Sequence, residues 1–316
     1  MKRHAWLDRI QQLDPETDFT EIYRISSQYE FPWDTNQSLG FALYRTYAVP
    51  SIGQLLAKTG EFTERTQKRY DDTVLILEAV VEHGFESAPG REAIRRMNQM
   101  HRRYDISNED YVYVLSTFVV VPKRWLDEYG WRPYSPHEVR ASVNYYRRLG
   151  RHMGLKDVPE TYEEFERLLD DYERANFSFD QGGRDVSDAT LDLTAGWYPK
   201  PLGKAMRTSS ICLLDDPLRE AFGYPRPPAL LQKAVRAGMR MRGRVVRLLP
   251  PRRKPWLARD GRQVRCYPNG YRISELGTFE ESGGGGCPFP HGTSTLDIDT
   301  TDTAAQGAAS GHDSPR

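Results

Sequence analysis

Residues 91–104 read REAIRRMNQMHRRY, and the spacing of their apolar members decides the fold class. Ala93, Ile94, Met97, Met100, His101 and Tyr104 recur at helical steps, which puts them on one stripe of an amphipathic helix. That stripe carries an imidazole among apolar neighbours. The preceding segment, residues 63–83, shows the same period: Thr63 and Glu64 open it, Val74, Leu77, Val80 and Val81 repeat at helical spacing, and Gly84 follows its end. Arg69 and Thr73 lie one turn apart within it, so they share a face, and that face continues through Ile76, Leu77 and Val80.

The helical pattern extends in both directions. Residues 1–30 read as a helical lead-in, with Asp14 or Thr17 as its cap and Ile22, Ile25 and Tyr29 on its apolar side. Pro32 and Pro50 then punctuate an aromatic stretch, and Ser51 is placed to cap residues 52–58, which predicts two short helices around a packed turn. Downstream, Asn108 is placed to cap residues 109–121. That segment is apolar nearly all round and therefore central, and the spacing of Tyr111, Leu115 and Phe118 favours helix over strand. Pro122 is expected to begin a separate turn over residues 123–129.

Ser135-Pro136-His137-Glu138 combines a serine cap, a first-turn proline and a glutamate at the third position, opening a helix to about Met153 that Gly154 closes. Residues 161–176, 186–193, 202–214, 217–222 and 228–249 complete a helical series. No βαβ alternation occurs, and strand is expected over a few residues near 264–273 at most. The expectation is an all-α protein with one helical domain over residues 1–280. From residue 281 the chain turns to Gly, Ser, Thr, Ala and Asp with few large apolar residues, which predicts a disordered tail over 281–316.

Composition narrows the function classes. Lys plus Arg and Asp plus Glu are both 44, so no net charge draws the chain to nucleic acid. Cys212, Cys266 and Cys287 are widely spaced and form no CxxC pair, which argues against a disulfide framework or structural zinc and for a reducing, cytoplasmic setting. The N-terminal residues lack the apolar run of a signal peptide, and no apolar run is long enough to span a bilayer. Residues 233–254, from Lys233 to Lys254, read KAVRAGMRMRGRVVRLLPPRRK. Two readings of this basic segment stand: a solvated cationic face on a core helix, and weak contact with an anionic membrane surface.

Most cofactor motifs are absent. There is no GxGxxG after a strand, no GxxxxGK[ST] and no GxSxG; Gly283–Gly286 reads as a linker. No HxxxH pair occurs, no histidine follows a glutamate by three residues, and no FxxGxxxC surrounds a cysteine. What is left is His101, a single histidine on an apolar helical face. One neutral imidazole suffices for a b-type haem on its proximal side, and a satisfied structural histidine is the alternative. A core-directed Arg69 needs a partner, because an unpaired buried charge is costly. That partner is either an anionic group such as a haem propionate or an internal carboxylate, Glu78 or Asp71. Thr73 then either hydrogen-bonds dioxygen or water, or returns its proton to the carbonyl one turn back.

Three stretches together resemble a known family: YEFPWDTNQSLGFALYRTYAVPSIGQLLAKTGEF (29–62), RYDDT (69–73) and AIRRMNQMHRRYDISNEDYVYVLSTFVVVPKRW (93–125). They are similar to the MpaB/rubber-oxygenase catalytic domain family, which includes fungal MpaB-type oxygenases and bacterial latex-clearing proteins, and more so to the MpaB-type branch. The resemblance implies a globin-like helical core, haem b and O2-dependent oxidation. By that resemblance His101 maps onto the proximal iron ligand, and Arg69 and Thr73 onto the arginine and threonine beside the haem. The distal lysine and the catalytic glutamate of latex-clearing proteins have no assigned counterpart here.

The resulting expectation is a haem b oxygenase acting with O2 on a small hydrophobic, isoprenoid or alkene-containing substrate, by oxidative C=C cleavage or oxygenation. His101 would bind iron, and Arg69 and Thr73 would serve cofactor and catalysis. A non-catalytic haem carrier or sensor, and a helical scaffold without cofactor, are the other readings.

Overall fold

Local end chemistry decides where many of the helices begin. In this computed structural model, which describes residues 1–277, the elements are α1 (Ala5–Ile10), α2 (Phe19–Ile25), a π-helical turn (Ser26–Glu30), α3 (Pro32–Tyr47), α4 (Pro50–Lys58), α5 (Glu61–Glu64), α6 (Thr66–His83), α7 (Ala88–His101), α8 (Asn108–Tyr129), α9 (Pro136–Met153), α10 (Tyr162–Asn176), α11 (Gln181–Gly196), α12 (Lys200–Leu213), α13 (Asp216–Ala221) and α14 (Ala229–Leu248). The fold is all-α, with no strand among the described residues. Ser135 with Glu138, and Thr161 with Glu164, close full capping boxes on α9 and α10. Pro32, Pro50 and Pro136 sit in first turns, where a missing N–H costs nothing. Gly84, with φ of 76°, ends α6 in a conformation that glycine adopts without a Cβ clash.

Several boundaries differ from the sequence expectation. α8 runs unbroken through Pro122 to Tyr129 instead of stopping at Val121. Pro122 is buried, and α8 packs along its length against α3 and α10, so tertiary contact outweighs the lost backbone hydrogen bond. Ser107, not Asn108, caps this helix, accepting from the Asp110 amide at 3.0 Å. Asp18 takes the N-cap position of α2 in place of Asp14 or Thr17. Ser51 lies inside α4, and its hydroxyl donates to Asp110. Thr63 belongs to the short α5, and α7 ends at His101, leaving Tyr104 exposed beyond it. Residues 264–273 form no strand; a 3-10 turn follows at Ile273–Glu275. Cys212 is free and buried while Cys266 is disulfide-bonded, which corrects the reading against disulfides: spacing along a chain does not report proximity in the fold. The expectations for residues 281–316 lie outside the described residues.

The main core joins α2, α6, α7, α8, α9 and α10 through Leu75, Ile76, Ala93, Ile94, Leu115, Val119 and Phe165. A second core joins α3 to α11 and α13 through Tyr44, Tyr47, Val186, Leu191 and Leu218. α4 and α11 meet where Gly53 faces Gly183. A Cβ on Gly183 would lie 2.3 Å from the Tyr47 carbonyl oxygen, so the crossing requires glycine.

After α14 the chain returns across α6 and α7. The Arg265 and Cys266 amides donate to Asp71 at 2.8 and 2.7 Å, Tyr267 donates to Asp72, and the Ala258 and Arg259 amides donate to Glu78.

Candidate functional site

The antiparallel pair α6–α7 brings the residues singled out in the sequence to one cavity. Its volume is about 280 Å³, against the ~10–15 Å³ that one water requires, so it is of ligand scale. The walls are mainly apolar: Leu43 and Tyr47 from α3, Ile52, Leu55 and Leu56 from α4, Ile76 and Leu77 from α6, Met97 and Met100 from α7, Val114, Leu115 and Phe118 from α8, and Leu149 and Met153 from α9. Arg69, Thr73 and His101 all line it.

His101 closes the last turn of α7, and its ring meets Tyr111 edge-on, with centroids 5.6 Å apart. Its Nδ1 is buried and has no hydrogen-bond partner. Burial, and secondly the Arg69 charge, push its pKa down to about 4, so the imidazole is neutral at physiological pH. A neutral imidazole keeps one nitrogen lone pair free for a metal. Among the described residues no three His, Cys, Asp or Glu side chains gather as a metal-ligand cluster.

Arg69 resolves one sequence alternative. It makes no ion pair among the described residues: Asp71 and Glu78 are instead occupied by backbone amides of the returning C-terminal segment. Its guanidinium donates to the Thr73 hydroxyl and lies over the Phe62 ring at 5.0 Å. Thr73 in turn donates to the Arg69 carbonyl at 2.8 Å, the back-bonded arrangement. The cavity therefore holds an arginine whose charge no carboxylate balances, a place for an anionic group.

Other polar residues in the wall escaped sequence reasoning. Asp110 accepts from Ser51 at 3.0 Å and from Tyr172 at 2.8 Å. Glu61 pairs with Arg65 through one oxygen, while its Oε2 is buried with no partner. Asp72 pairs with Lys68 at 2.7 Å. No local motif marks these carboxylates; the only signal was acidic residues next to apolar helical positions.

Taken together, the fold and cavity define an all-α protein with an apolar cavity of ligand scale walled by α3, α4, α6, α7, α8 and α9. Residues 37–245 match the family model described as ER-bound oxygenase mpaB/B'/Rubber oxygenase, catalytic domain, and the chain belongs to this family. The ER-bound oxygenase mpaB' of Penicillium brevicompactum is 30% identical over 255 residues, covering 75% of this chain and 60% of the relative. The ER-bound oxygenase mpaB of the same species is 31% identical over 229 residues, covering 66% and 58%. That of Penicillium roqueforti (strain FM164) is 28% identical over 222 residues, covering 65% and 74%. The chain thus spans about three-fifths of the length of the first two relatives. Among the described residues no helix is long and apolar enough to cross a membrane.

Proposed function

We propose that this protein is a haem b-dependent oxygenase that acts with O2 on a small hydrophobic substrate. The observation that carries the reading is His101, a neutral imidazole with an unbonded, buried Nδ1 in the wall of an apolar cavity. A b-type haem takes one such imidazole on its proximal side. Arg69 fits the same group, because a guanidinium without a carboxylate partner suits a propionate. The names of the relatives, all oxygenases, support the reaction class.

When bound, the haem would supply O2 binding and the redox chemistry, which belong to the cofactor. The chain supplies the rest. His101 would hold the haem iron through its free nitrogen lone pair. Arg69 would hold an anionic group of the cofactor, and Thr73 holds Arg69, since its own proton is committed to the Arg69 carbonyl. Val114, Leu115, Phe118 and Leu149 exclude water and receive the apolar substrate. The proposed chemistry is oxidative C=C cleavage or oxygenation of an isoprenoid or alkene-containing molecule.

Absorbance spectroscopy of protein expressed with ample haem tests this reading. A Soret band that His101→Ala abolishes is expected. No band in the wild type overturns haem binding, and unchanged haem content in the variant moves the ligand elsewhere. Substrate-dependent O2 uptake separates an oxygenase from a haem carrier.

A further inference from the structure

The basic segment 233–254 had two readings, and the orientation of α14 distinguishes them. A solvated cationic face on a core helix would turn its apolar residues inward. The opposite is found for one stripe. Leu230, Ala234, Ala237, Met241, Val245 and Leu248 fall on a single helical face, and all are exposed, Leu230 by 81% and Leu248 by 84%.

The inward face is partly ionic. Arg236 and Arg240 reach Glu128, and Arg242 pairs with Asp34 at 2.6 Å while lying over the Trp33 ring. Met239 and Val246 pack on the aromatic cluster around Trp125, and Gly243 lets the helix approach Tyr129 closely. The helix is thus anchored from behind, with its apolar stripe presented outward over roughly 27 Å.

Cations flank that stripe. Lys233, Arg244 and Arg247 are exposed and have no ion-pair partner among the described residues, and Arg252, Arg253 and Lys254 follow, also exposed. No acidic residue occurs anywhere between Ala229 and Lys254. An exposed apolar stripe beside uncompensated cations is complementary to an anionic bilayer surface, where apolar side chains enter the headgroup–acyl boundary and cations meet lipid charge. A second copy of this helix would bring the same cations and no acidic partner.

We propose that α14 is an interfacial helix that lies flat on an anionic membrane surface. Each cation near such a surface strengthens partition roughly fivefold. The full-length protein is tested by co-sedimentation with vesicles of phosphatidylcholine alone or mixed with phosphatidylserine. Binding to the mixed vesicles, weakened by salt and absent with phosphatidylcholine alone, is expected. The double variant Arg244→Gln/Arg247→Gln lowers that binding by about 25-fold, two cations at roughly fivefold each. The double variant Met241→Gln/Leu248→Gln weakens it as well; all four side chains are exposed, so the fold is kept. No partition onto the mixed vesicles, or equal partition by wild type and both variants, overturns the proposal. So does a dimer in sedimentation equilibrium that Met241→Gln/Leu248→Gln dissolves without vesicle binding, which assigns the stripe to a second copy. The outcome is independent of haem content.

Discussion

Replacing His101 with glutamine in the haem-free protein tests the cavity before any cofactor is added. Glutamine is close to imidazole in size and does not titrate. Burial, then Arg69, holds the His101 pKa at about 4, against 6.5 for an ordinary histidine. At 1.36 kcal/mol per pH unit, that gap is worth about 3 kcal/mol. The sign follows from the protons bound. Between pH 6.5 and about 4 the unfolded chain takes up the proton and the folded chain does not. The His101 contribution therefore makes stability rise with pH across this window, and its full cost is felt below about 4.

The wild type does not display this slope by itself, because Asp71 opposes it. Burial raises the Asp71 carboxyl to about 6 from an ordinary 3.8, so the folded chain holds a proton that the unfolded chain lacks, and stability falls as pH rises from 3.8 to about 6. The two slopes offset each other. Subtracting wild type from His101→Gln removes the Asp71 contribution. Urea denaturation should show the variant gaining about 3 kcal/mol relative to wild type between neutral pH and about pH 4. A difference that stays constant across that range would refute a buried, neutral imidazole at this position.

Two further predictions concern the frame around the cavity. Arg132 bridges Glu30 at 2.9 Å and Glu138 at 2.7 Å, both fully buried carboxylates; Arg132→Met should cost roughly 3–5 kcal/mol by leaving Glu138 without a guanidinium and Glu30 with Arg3 alone at 3.7 Å, read as a lower urea midpoint. Gly183→Ala places a methyl against the Tyr47 carbonyl and should cost roughly 1–3 kcal/mol, and an unchanged midpoint would show that α11 does not meet the end of α3 this closely.

The site residues themselves were legible in the sequence to an unequal degree. His101, Arg69 and Thr73 could be found because the helical period places them on apolar faces and the RYDDT and MNxxHxxY segments resemble a family. Glu61, Asp110 and Tyr111 could not. Glu61 lies on α5 and Asp110 and Tyr111 on α8, and only the packing of these helices around α6–α7 brings them to one cavity. The partner of Arg69 was equally hidden. Asp71 and Glu78 were its acidic candidates, yet they bind amides 194 and 180 residues later in the chain.

What the sequence determined alone is what short-range chemistry controls. The capping boxes at Ser135–Glu138 and Thr161–Glu164, the proline-opened helices and the all-α class depend on residues within a turn or two of each other. Tertiary structure decided the rest. Pro122 stays helical because α3 and α10 bury α8 along its length, and Gly53 and Gly183 acquire their purpose only when two helices cross. α14 shows the reason most plainly. Its period states which residues share a face, but only the positions of Glu128, Asp34 and the Trp125 cluster decide which face turns inward, leaving Leu230 and Leu248 outside.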